Sequence, residues 1–458
     1  MLIGNYKRIH FIGIGGTGMS GIAKILLEMG YRVSGSDLKK TEITDRLEEM
    51  GAEVFKGHRA LNIGDSDLVI VSSAIPPDNP ELLEAIRRNI PIMHRADMLG
   101  KIMSLKKGIA ITGAHGKTTT TSMISLILDR AKFQPTVIIG GELNDIGGNA
   151  VWGKGEYLVA EADESDGSFL KLNPKIAVVT NIEDDHLDYY KTMENLIKAF
   201  KQFLENLSAD SVAVLGIDNE NVDKLSKKIK KKYISFAVQK PADFVARNIE
   251  FAGGNTFFDV YYKENKLGKL ELKVPGLHNI NNALAATAVA KQIGISINDI
   301  RSVLRDFSGV QRRFQLIGEN KNIKVFDDYA HHPTEIKATL AAAKQYNPER
   351  IIAVFQPHRY TRTLNLYEEF GDAFADADVL IITDIYSAGE KPITGVTSQL
   401  IINSIKQKQK KDVIYIPNKD EIVPYLKKII RPGDFVFTIG AGDISKVAEQ
   451  LTEQLNIY

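Results

Sequence analysis

Short hydrophobic runs alternate along the chain with longer segments of helical periodicity. The first run, Arg8–Ile12, predicts a β-strand, and a glycine-rich turn and a predicted helix over Met19–Met29 follow it. A second predicted strand, Arg32–Ser36, ends just before Asp37. Strands that alternate with helices in this way are typical of parallel sheets built from βαβ units. The pattern therefore predicts an α/β fold.

The same alternation is found in three consecutive parts of the chain. The remaining predicted strands are, in chain order, Leu68–Ser72, Gly108–Thr112, Tyr157–Ala160, Ile176–Thr180, Ile351–Gln356, Val379–Ile385, Val413–Ile416 and Phe435–Ile439. We predict three domains, each with a largely parallel sheet flanked by helices. They are a Rossmann-like N-terminal domain at 1–106, a central P-loop domain at 107–310 and a Rossmann-like C-terminal domain at 311–458.

Composition agrees with this division and excludes some classes of partner. A chain of 458 residues, 44% of them hydrophobic, has room for about three domains of ~150 residues. The formal net charge of +1 provides no overall field that would favour nucleic acid or an anionic membrane. Two basic stretches, Ser226–Tyr233 and Lys406–Lys411, are not interleaved with aromatic residues, so we predict that they are solvated surface.

The chain contains no cysteine, which excludes disulfides, thiolate metal ligands and cysteine nucleophiles and suits a reducing compartment. The N-terminus lacks the apolar segment and cleavage site of a signal peptide. No apolar run is long enough to cross a bilayer. We therefore expect a cytoplasmic protein that binds neither membrane nor nucleic acid.

The first glycine turn fits the pattern G-x-G-x-x-G between a predicted strand and a predicted helix. Its candidate ligand-binding residues are Gly15, Gly16, Thr17 and Gly18. Glycines at such a turn let backbone N–H groups approach a diphosphate at a helix N-terminus, and Asp37 is placed to meet a ribose hydroxyl. The alternative without a ligand is an ordinary tight turn. NAD and a UDP-sugar fit this chemistry equally well, so an oxidoreductase remains open at this point.

The second glycine turn also follows a predicted strand and opens a predicted helix. Its residues are Gly113, Ala114, His115, Gly116, Lys117, Thr118 and Thr119. Lys117 can reach the β- and γ-phosphates of ATP, and Thr118 can ligate Mg²⁺. The turn is shorter than a general P-loop, since Ile111 stands where the longer motif has glycine. The sequence therefore predicts an ATP site.

Acidic residues follow two further strands of the same domain. Glu161 leaves the strand Tyr157–Ala160, and His186 follows the strand Ile176–Thr180. The carboxyl ends of parallel strands meet at one sheet edge, where the ATP turn also lies. Oxygen ligands suit Mg²⁺, whereas histidine is an atypical ligand for it. The nearby acids are solvated or supporting groups in this interpretation; they are Asp163, Glu164, Asp166, Asp184 and Asp185.

Taken together, the motifs give the chain a resemblance to the Mur ligase family over essentially its whole length. They are, in order, GIGGTGMSGIA, SGSD, GAHGKTTTTSM, EADESDGSF, NIEDDHLDYY, PGLHNINNALAA, GVQRRF, DDYAHHPTEI, QPHRYTRT, YSAGEKPI and GAGDI. The loop GAHGKTT matches the family's short ATP loop, with Ala114 in place of the more usual threonine.

The resemblance implies ATP-dependent ligation of L-alanine to the carboxylate of UDP-N-acetylmuramate. An acyl phosphate would form, and ADP and phosphate would be released with the help of Mg²⁺. This reaction belongs to peptidoglycan precursor synthesis, and so to cell-wall biogenesis, cell shape and cell division. The expected partners are these two substrates, and the expected assembly is a monomer or a weak homodimer.

The resemblance also implies roles for individual residues. The UDP-sugar would be bound by Gly15–Gly18, Asp37, Ser72 and Ser73. Metal ligands would be Thr118, Glu161 and His186. Residues around the adenine would be His278, Asn279 and Asn282, and the remaining catalytic candidates, besides Lys117, are Arg313, Asp328, Tyr329, His358 and Arg362. His331 and His332 are also candidates for general bases, but packing at the start of a helix explains at least one of them.

Two alternatives remain beside this interpretation. A murein-peptide recycling ligase shares both glycine turns, but Tyr329 and Glu335 favour the alanine-adding branch. An NAD-dependent oxidoreductase would leave the GKT loop and Glu161 without a role. Lys201 has the spacing of a carbamylated lysine in sister ligases, and a solvent-facing helix lysine is the favoured interpretation.

Overall fold

The computed structural model describes residues 3–143, 148–252 and 254–455, and the chain divides into two compact units. The first unit consists of Met1–Arg247, Asp259–Lys269 and Asn281–Leu304, and the second consists of Asn248–Phe258, Leu270–Ile280 and Arg305–Tyr458. Three sheets run through these units in chain order. No helix within the described residues is long and apolar enough to cross a membrane.

The first sheet has five strands in the order β3-β2-β1-β4-β5, all parallel. Its elements are β1 (Arg8–Ile12), α1 (Thr17–Glu28), β2 (Arg32–Asp37), α2 (Glu42–Glu49), β3 (Glu53–Lys56), β4 (Leu68–Val71), α3 (Pro80–Arg87), β5 (Ile92–His94) and α4 (Arg95–Ser104). The strand β1 is buried along nearly its whole length, as expected for a parallel strand covered on both faces.

The central sheet has ten strands in the order β15-β14-β13-β12-β11-β10-β6-β9-β7-β8. Its strands are β6 (Lys107–Thr112), β7 (Thr136–Leu143), β8 (Gly148–Val151), β9 (Tyr157–Glu161), β10 (Ile176–Val179), β11 (Val212–Gly216), β12 (Tyr233–Ala237), β13 (Phe244–Ala252), β14 (Asn255–Tyr262) and β15 (Asn265–Leu272). Its helices are α5 (Lys117–Arg130), α6 (Leu187–Tyr190), α7 (Met193–Glu205), α8 (Glu220–Ser226), α9 (Leu277–Ile293) and α10 (Ile297–Asp306). From β12 to β7 the strands are parallel, and β8 is antiparallel to β7.

The third sheet has six strands in the order β16-β17-β21-β18-β19-β20. Its elements are β16 (Gln315–Asn320), β17 (Ile323–Asp328), α11 (Pro333–Lys344), β18 (Arg350–Phe355), α12 (Tyr360–Phe370), β19 (Val379–Ile382), α13 (Gln399–Gln409), β20 (Val413–Tyr415), α14 (Ile422–Ile429), β21 (Asp434–Ile439) and α15 (Ser445–Gln454). All neighbours are parallel except the antiparallel pair β16 and β17.

The predicted fold class is confirmed: three largely parallel sheets are flanked by helices. The strand predicted at Arg8–Ile12 has the observed bounds, and β2 extends one residue further, to Asp37. Each sheet also has strands that the sequence analysis did not predict, and in the third sheet these are β16 and β17. They form a hairpin with a register shift between Leu316 and Gly318, which disturbs the alternation on which a strand prediction depends.

Candidate active site

The first glycine turn lies between β1 and α1 and is held by the neighbouring strand. Because β1 and β2 are parallel and in register, Asp37 at the end of β2 lies beside the turn. Its Oδ2 accepts a hydrogen bond from the backbone N–H of Gly15 at 2.9 Å. The predicted residues Gly15–Gly18 and Asp37 are therefore brought together, and Asp37 stabilises the conformation of the turn itself.

Ser72 and Ser73 lie just beyond the end of β4, beside β1 in the same sheet. The carbonyl of Ser72 accepts a hydrogen bond from the N–H of Ile75, which closes a turn. Ser73 Oγ donates to Asp166 Oδ2 at 2.8 Å, so this loop is tied to the acidic loop that follows β9. A predicted sugar-nucleotide residue thus contacts a residue of the predicted ATP domain within the first unit.

The second glycine turn leads from β6 into α5, whose first residue is Lys117. Gly113 has φ +133°, and a Cβ there would lie 2.2 Å from Thr180 Oγ1, so only glycine fits. The N–H of His115 donates to Asn181 Oδ1 at 2.8 Å. The turn is thus fixed on the end of β10, at the N-terminus of a 14-residue helix, which is a favourable place for phosphate.

Lys117 is already paired with a carboxylate in this turn. Its Nζ donates to Glu164 Oε1 and to the carbonyl of Gly113, both at 2.6 Å. Burial by itself lowers the pKa of a lysine, but the charge and hydrogen bond of Glu164 outweigh this effect and raise the pKa of Lys117. Asp163 and Glu161 add to the increase. The lysine is therefore a fixed positive charge at the turn.

The candidate metal ligands lie around this lysine. His186 has its Nε2 3.6 Å from Glu164 Oε1, and Glu161 lies close enough to raise the pKa of Lys117. Glu161 also accepts a hydrogen bond from the N–H of Gly140 at 2.8 Å. Thr118 is the residue after Lys117, and the oxygen donors among these predicted ligands suit Mg²⁺. Glu164 adds a buried carboxylate that sequence reasoning treated as a supporting acid.

The residues predicted near the adenine do not all have the same surroundings. Asn282 accepts a hydrogen bond from Thr120 Oγ1 of α5 at 3.2 Å, and a Cβ on Gly116 would lie 2.5 Å from its Oδ1. Asn282 therefore contacts the second glycine turn and the start of α5. In the second unit, Asn279 Nδ2 donates to the carbonyl of Pro275 at 2.7 Å, and His278 packs against Gly276.

In the third sheet, Asp328 is buried at the end of β17 and accepts several hydrogen bonds. Its carboxylate accepts from the N–H groups of Phe314 and Ala330 at 3.0 and 2.8 Å and from Thr339 Oγ1 at 3.0 Å. Burial raises the pKa of Asp328 to about 6, against the opposing effect of Arg313. Arg313 itself donates to Glu335 Oε1 at 3.2 Å. Both residues thus support the loop that follows β17.

That loop brings together the predicted residues Tyr329, His358 and Arg362. The ring of Tyr329 packs edge-on to His331, and the rings of His331 and His358 have centroids 5.8 Å apart. Arg362 Nη1 lies 3.0 Å from His358 Nδ1. Tyr386 stacks on His358 with an interplanar angle of 11°. His332, in contrast, caps α11 by accepting from the N–H of Thr334, as the packing interpretation predicted.

The sequence analysis assigned no role to Tyr386 or Arg95 and named Glu164 only as a solvated or supporting acid. Tyr386 stands in the quoted motif YSAGEKPI, so the motif was a usable signal for it. Glu164 stands in EADESDGSF, and its burial separates it from the more exposed acids around it. Arg95 has no such signal, because its partner Asp163 is 68 residues away in the sequence. Lys201, on α7, pairs with Glu205 at 3.7 Å and is 42% exposed.

Two glycine turns with phosphate-binding geometry, one of them with a fixed lysine among carboxylates, define an α/β nucleotide-binding enzyme. Three family models match: the catalytic domain of the Mur ligase family at 8–107, the Mur ligase middle domain at 111–290 and the Mur ligase glutamate ligase domain at 312–442. The chain belongs to the Mur ligase family and is an ATP-dependent ligase.

Similar proteins cover the chain almost completely. The UDP-N-acetylmuramate–L-alanine ligase of Pelotomaculum thermopropionicum is 54% identical over 98% of both chains. The crystal structure of the UDP-N-acetylmuramate–alanine ligase from Thermotoga maritima has a TM-score of 0.83 and 32% identity, with 99% of both chains covered. A murein peptide ligase from Psychrobacter arcticus has a TM-score of 0.72 and 25% identity, with 98% of both chains covered.

Proposed function

We propose that the chain joins the amino group of L-alanine to the carboxylate of UDP-N-acetylmuramate and converts ATP to ADP and phosphate. The observation that carries this proposal is the pairing of two nucleotide turns in one unit, with Lys117 fixed at one and Asp37 at the other. The substrates are those named for the relatives at 54% and 32% identity. The reaction would take place in the cytoplasm, as a step of peptidoglycan synthesis.

The chemistry requires activation of the carboxylate, because its oxide leaving group is too basic. The carboxylate attacks the γ-phosphorus of ATP, the bond to ADP breaks, and an acyl phosphate forms. The amine of L-alanine then attacks the acyl carbon and loses a proton, and phosphate leaves. Lys117 would neutralise charge on the transferring phosphoryl group, since its ammonium is already held at the turn.

Residues of the second unit would bind the anionic groups of the substrates. An arginine can only donate hydrogen bonds, so His358 Nδ1 accepts from Arg362 and the neutral ring carries its proton on Nε2. His358 thus offers an N–H donor beside a fixed positive charge. Tyr329 would complete the pocket for alanine and the muramyl carboxylate, and its ring centroid lies 5.0 Å from Cζ of Arg312 and 5.3 Å from Cζ of Arg313.

Thr118, Glu161 and His186 would hold Mg²⁺, which when bound supplies positive charge to the phosphoryl oxygens. Gly113–Thr119 would bind the ATP phosphates, with Asn282 at Gly116 and with His278 and Asn279 nearer the adenine. Gly15–Gly18, Asp37, Ser72 and Ser73 would bind the UDP-sugar. The proposal includes domains at 1–106, 107–310 and 311–458 and a monomer or weak homodimer.

Phosphate release in the presence of ATP, Mg²⁺ and UDP-N-acetylmuramate, with each amino acid added in turn, tests the proposal. Release is expected with L-alanine and only when all three substrates are present. Release with a preformed tripeptide but not with alanine would instead identify a recycling ligase. Hydride transfer from NADH without sugar nucleotide would identify an oxidoreductase.

A further inference from the structure

Arg95 is an arginine that lies across the first glycine turn, and the reaction described above does not use it. It is the first residue of α4, and its side chain is 18% exposed. A Cβ built on Gly18 would lie only 2.5 Å from Arg95 Nη1 and 3.3 Å from its Cζ. The guanidinium therefore packs directly on the backbone of the first turn of α1, where the glycine turn ends, in the space that a side chain at position 18 would fill.

Asp163 holds this guanidinium in place. Arg95 Nη2 donates to Asp163 Oδ2 at 3.2 Å. The carboxylate is fixed in turn, because its Oδ1 accepts from the N–H of Ser165 at 3.0 Å, and the carbonyl of Asp163 accepts from the N–H of Phe169 at 3.0 Å. A guanidinium has five N–H donors in a rigid fork, so one carboxylate oxygen does not use them all.

These contacts place a positive charge beside a turn whose glycines and helix N-terminus already suit a phosphate. Arginine is the side chain best suited to bind phosphate oxygens through two parallel hydrogen bonds. We propose that Arg95 binds the diphosphate of the sugar nucleotide and that Asp163 is the positioning residue that keeps the guanidinium on the turn. This inference rests on the proposed function and adds a residue to its sugar-nucleotide site.

The diphosphate is favoured over the muramyl carboxylate because Gly18 lies in the first turn of α1, at the helix N-terminus that follows the glycine turn. UDP, UDP-N-acetylglucosamine and UDP-N-acetylmuramate share the diphosphate, and the last of them alone has the lactyl carboxylate. Isothermal titration of all three against the full-length chain therefore separates the two anions. The variants are Arg95→Gln, Arg95→Lys and, as a matched control, Arg87→Gln, whose arginine pairs with Glu84 at 2.7 Å on the preceding helix.

Arg95→Gln is expected to weaken the binding of all three nucleotides by a similar factor, roughly 10- to 100-fold, as is typical of the loss of a hydrogen bond to a charged group. Arg95→Lys should restore only part of the affinity, since lysine lacks the fork. Arg87→Gln should leave the affinities unchanged, and the thermal midpoints of all variants should remain close to that of the parent chain.

Unchanged affinity for UDP in a folded Arg95→Gln variant would overturn the inference, and the arginine would then have only a structural role. A loss confined to UDP-N-acetylmuramate would overturn the diphosphate assignment in favour of the carboxylate. If the parent chain binds none of the three nucleotides, the proposed function fails, which is a different result from either.

Discussion

Lys117 carries the charge that the proposed phosphoryl transfer requires, and Glu164 keeps that charge at the ATP turn. The 2.6 Å ion pair opposes the effect of burial, which by itself lowers the pKa of a lysine, and the pKa of Lys117 is raised. In the proposed reaction, the phosphates of ATP would offer the ammonium another anionic partner. Glu164 also supports the turn, because it accepts a hydrogen bond from Thr112 Oγ1 at 3.2 Å.

Replacement of Lys117 by alanine tests this assignment. Lys117→Ala should reduce kcat by at least 100-fold, because a group that stabilises the transferring phosphoryl charge contributes several kcal/mol, with ~3 kcal/mol as a representative loss. Phosphate release gives the rate, and circular dichroism checks the fold. Lys198→Ala, which removes a lysine paired with Glu194 on the surface of α7, is the control. Near-normal turnover by folded Lys117→Ala would remove Gly113–Thr119 from the ATP site.

Asp328 should titrate well above the ordinary range of an aspartate. Burial raises its pKa from 3.8 to about 6. The folded chain therefore takes up this proton at a higher pH than the unfolded chain, and the contribution of the group to the free energy of unfolding increases as the pH falls from about 6 to about 4. Carbonyl-¹³C NMR of labelled aspartate, assigned with Asp328→Asn, should show a midpoint near 6. A midpoint near 4 would contradict the prediction.

At the scale of elements, both glycine turns and six strands of the first two sheets (β1, β2, β4, β6, β9 and β10) follow from local patterns. Hydrophobic runs and glycine spacing predicted β1, β6 and β10 and the loop that begins at Gly113. The ion pairs of the site were not predictable in this way, because they join distant segments: Arg95 with Asp163, and Lys117 with Glu164, 47 residues apart. The packing of the loop determines that Glu164 is the buried acid of EADESDGSF, and the sequence contains no periodic pattern from which this could be predicted.

A buried network in the first sheet supports the edge on which the glycine turn lies. Glu81, fully buried on α3, accepts hydrogen bonds from His10 and Ser36, at 3.1 and 2.6 Å, on β1 and β2. It also accepts from Asn62 Nδ2 at 2.6 Å and from the N–H of Arg59 at 3.0 Å. Burial raises its pKa, but these partners reverse the effect and lower it. One carboxylate thus joins two strands, a helix and a loop.

Glu81→Ala should therefore destabilise the chain severely, by about 3–5 kcal/mol, since it leaves buried donors without an acceptor. Glu81→Gln should lower the free energy of unfolding by less, because the amide keeps one acceptor oxygen. Thermal unfolding followed by circular dichroism measures both. Glu84→Ala, on the same helix but in a surface pair with Arg87, should leave the midpoint almost unchanged. Equal midpoints for Glu81→Ala and Glu84→Ala would show that the network contributes little.

At the scale of the molecule, the first unit holds two nucleotide turns on two different sheets. The acidic loop after β9 contacts groups near both turns. Near the first turn, Asp163 accepts a hydrogen bond from Arg95, and Asp166 accepts one from Ser73. At the second turn, Glu164 accepts a hydrogen bond from Lys117. The predicted fold contained both turns, but this bridge emerged only from the structure. The proposed sites for UDP-N-acetylmuramate, which would accept the phosphate, and for ATP, which would donate it, therefore lie in one compact unit.

The two turns should nevertheless serve different ligands, and binding can separate them. Asp37 supports the first turn through its 2.9 Å bond with the N–H of Gly15 and is placed to bond a ribose hydroxyl. Loss of a buried hydrogen-bond partner costs ~1–3 kcal/mol, so Asp37→Ala should weaken UDP-N-acetylmuramate binding by roughly five- to a hundred-fold. Its affinity for ATP, measured without sugar nucleotide, should hardly change, and Lys117→Ala should give the reverse pattern.

Isothermal titration of each ligand against each of these two variants is the direct measurement. The matched control is Asp45→Ala, which removes an aspartate on α2 that lies 3.8 Å from Lys40 at the surface. It should bind both ligands as the parent chain does, because its carboxylate supports neither turn. If Asp37→Ala lost ATP and kept the sugar nucleotide, the assignment of the two turns would be wrong. If both variants lost both ligands while remaining folded, the acidic loop would have to transmit each change to the other site, and the turns would form one cooperative site.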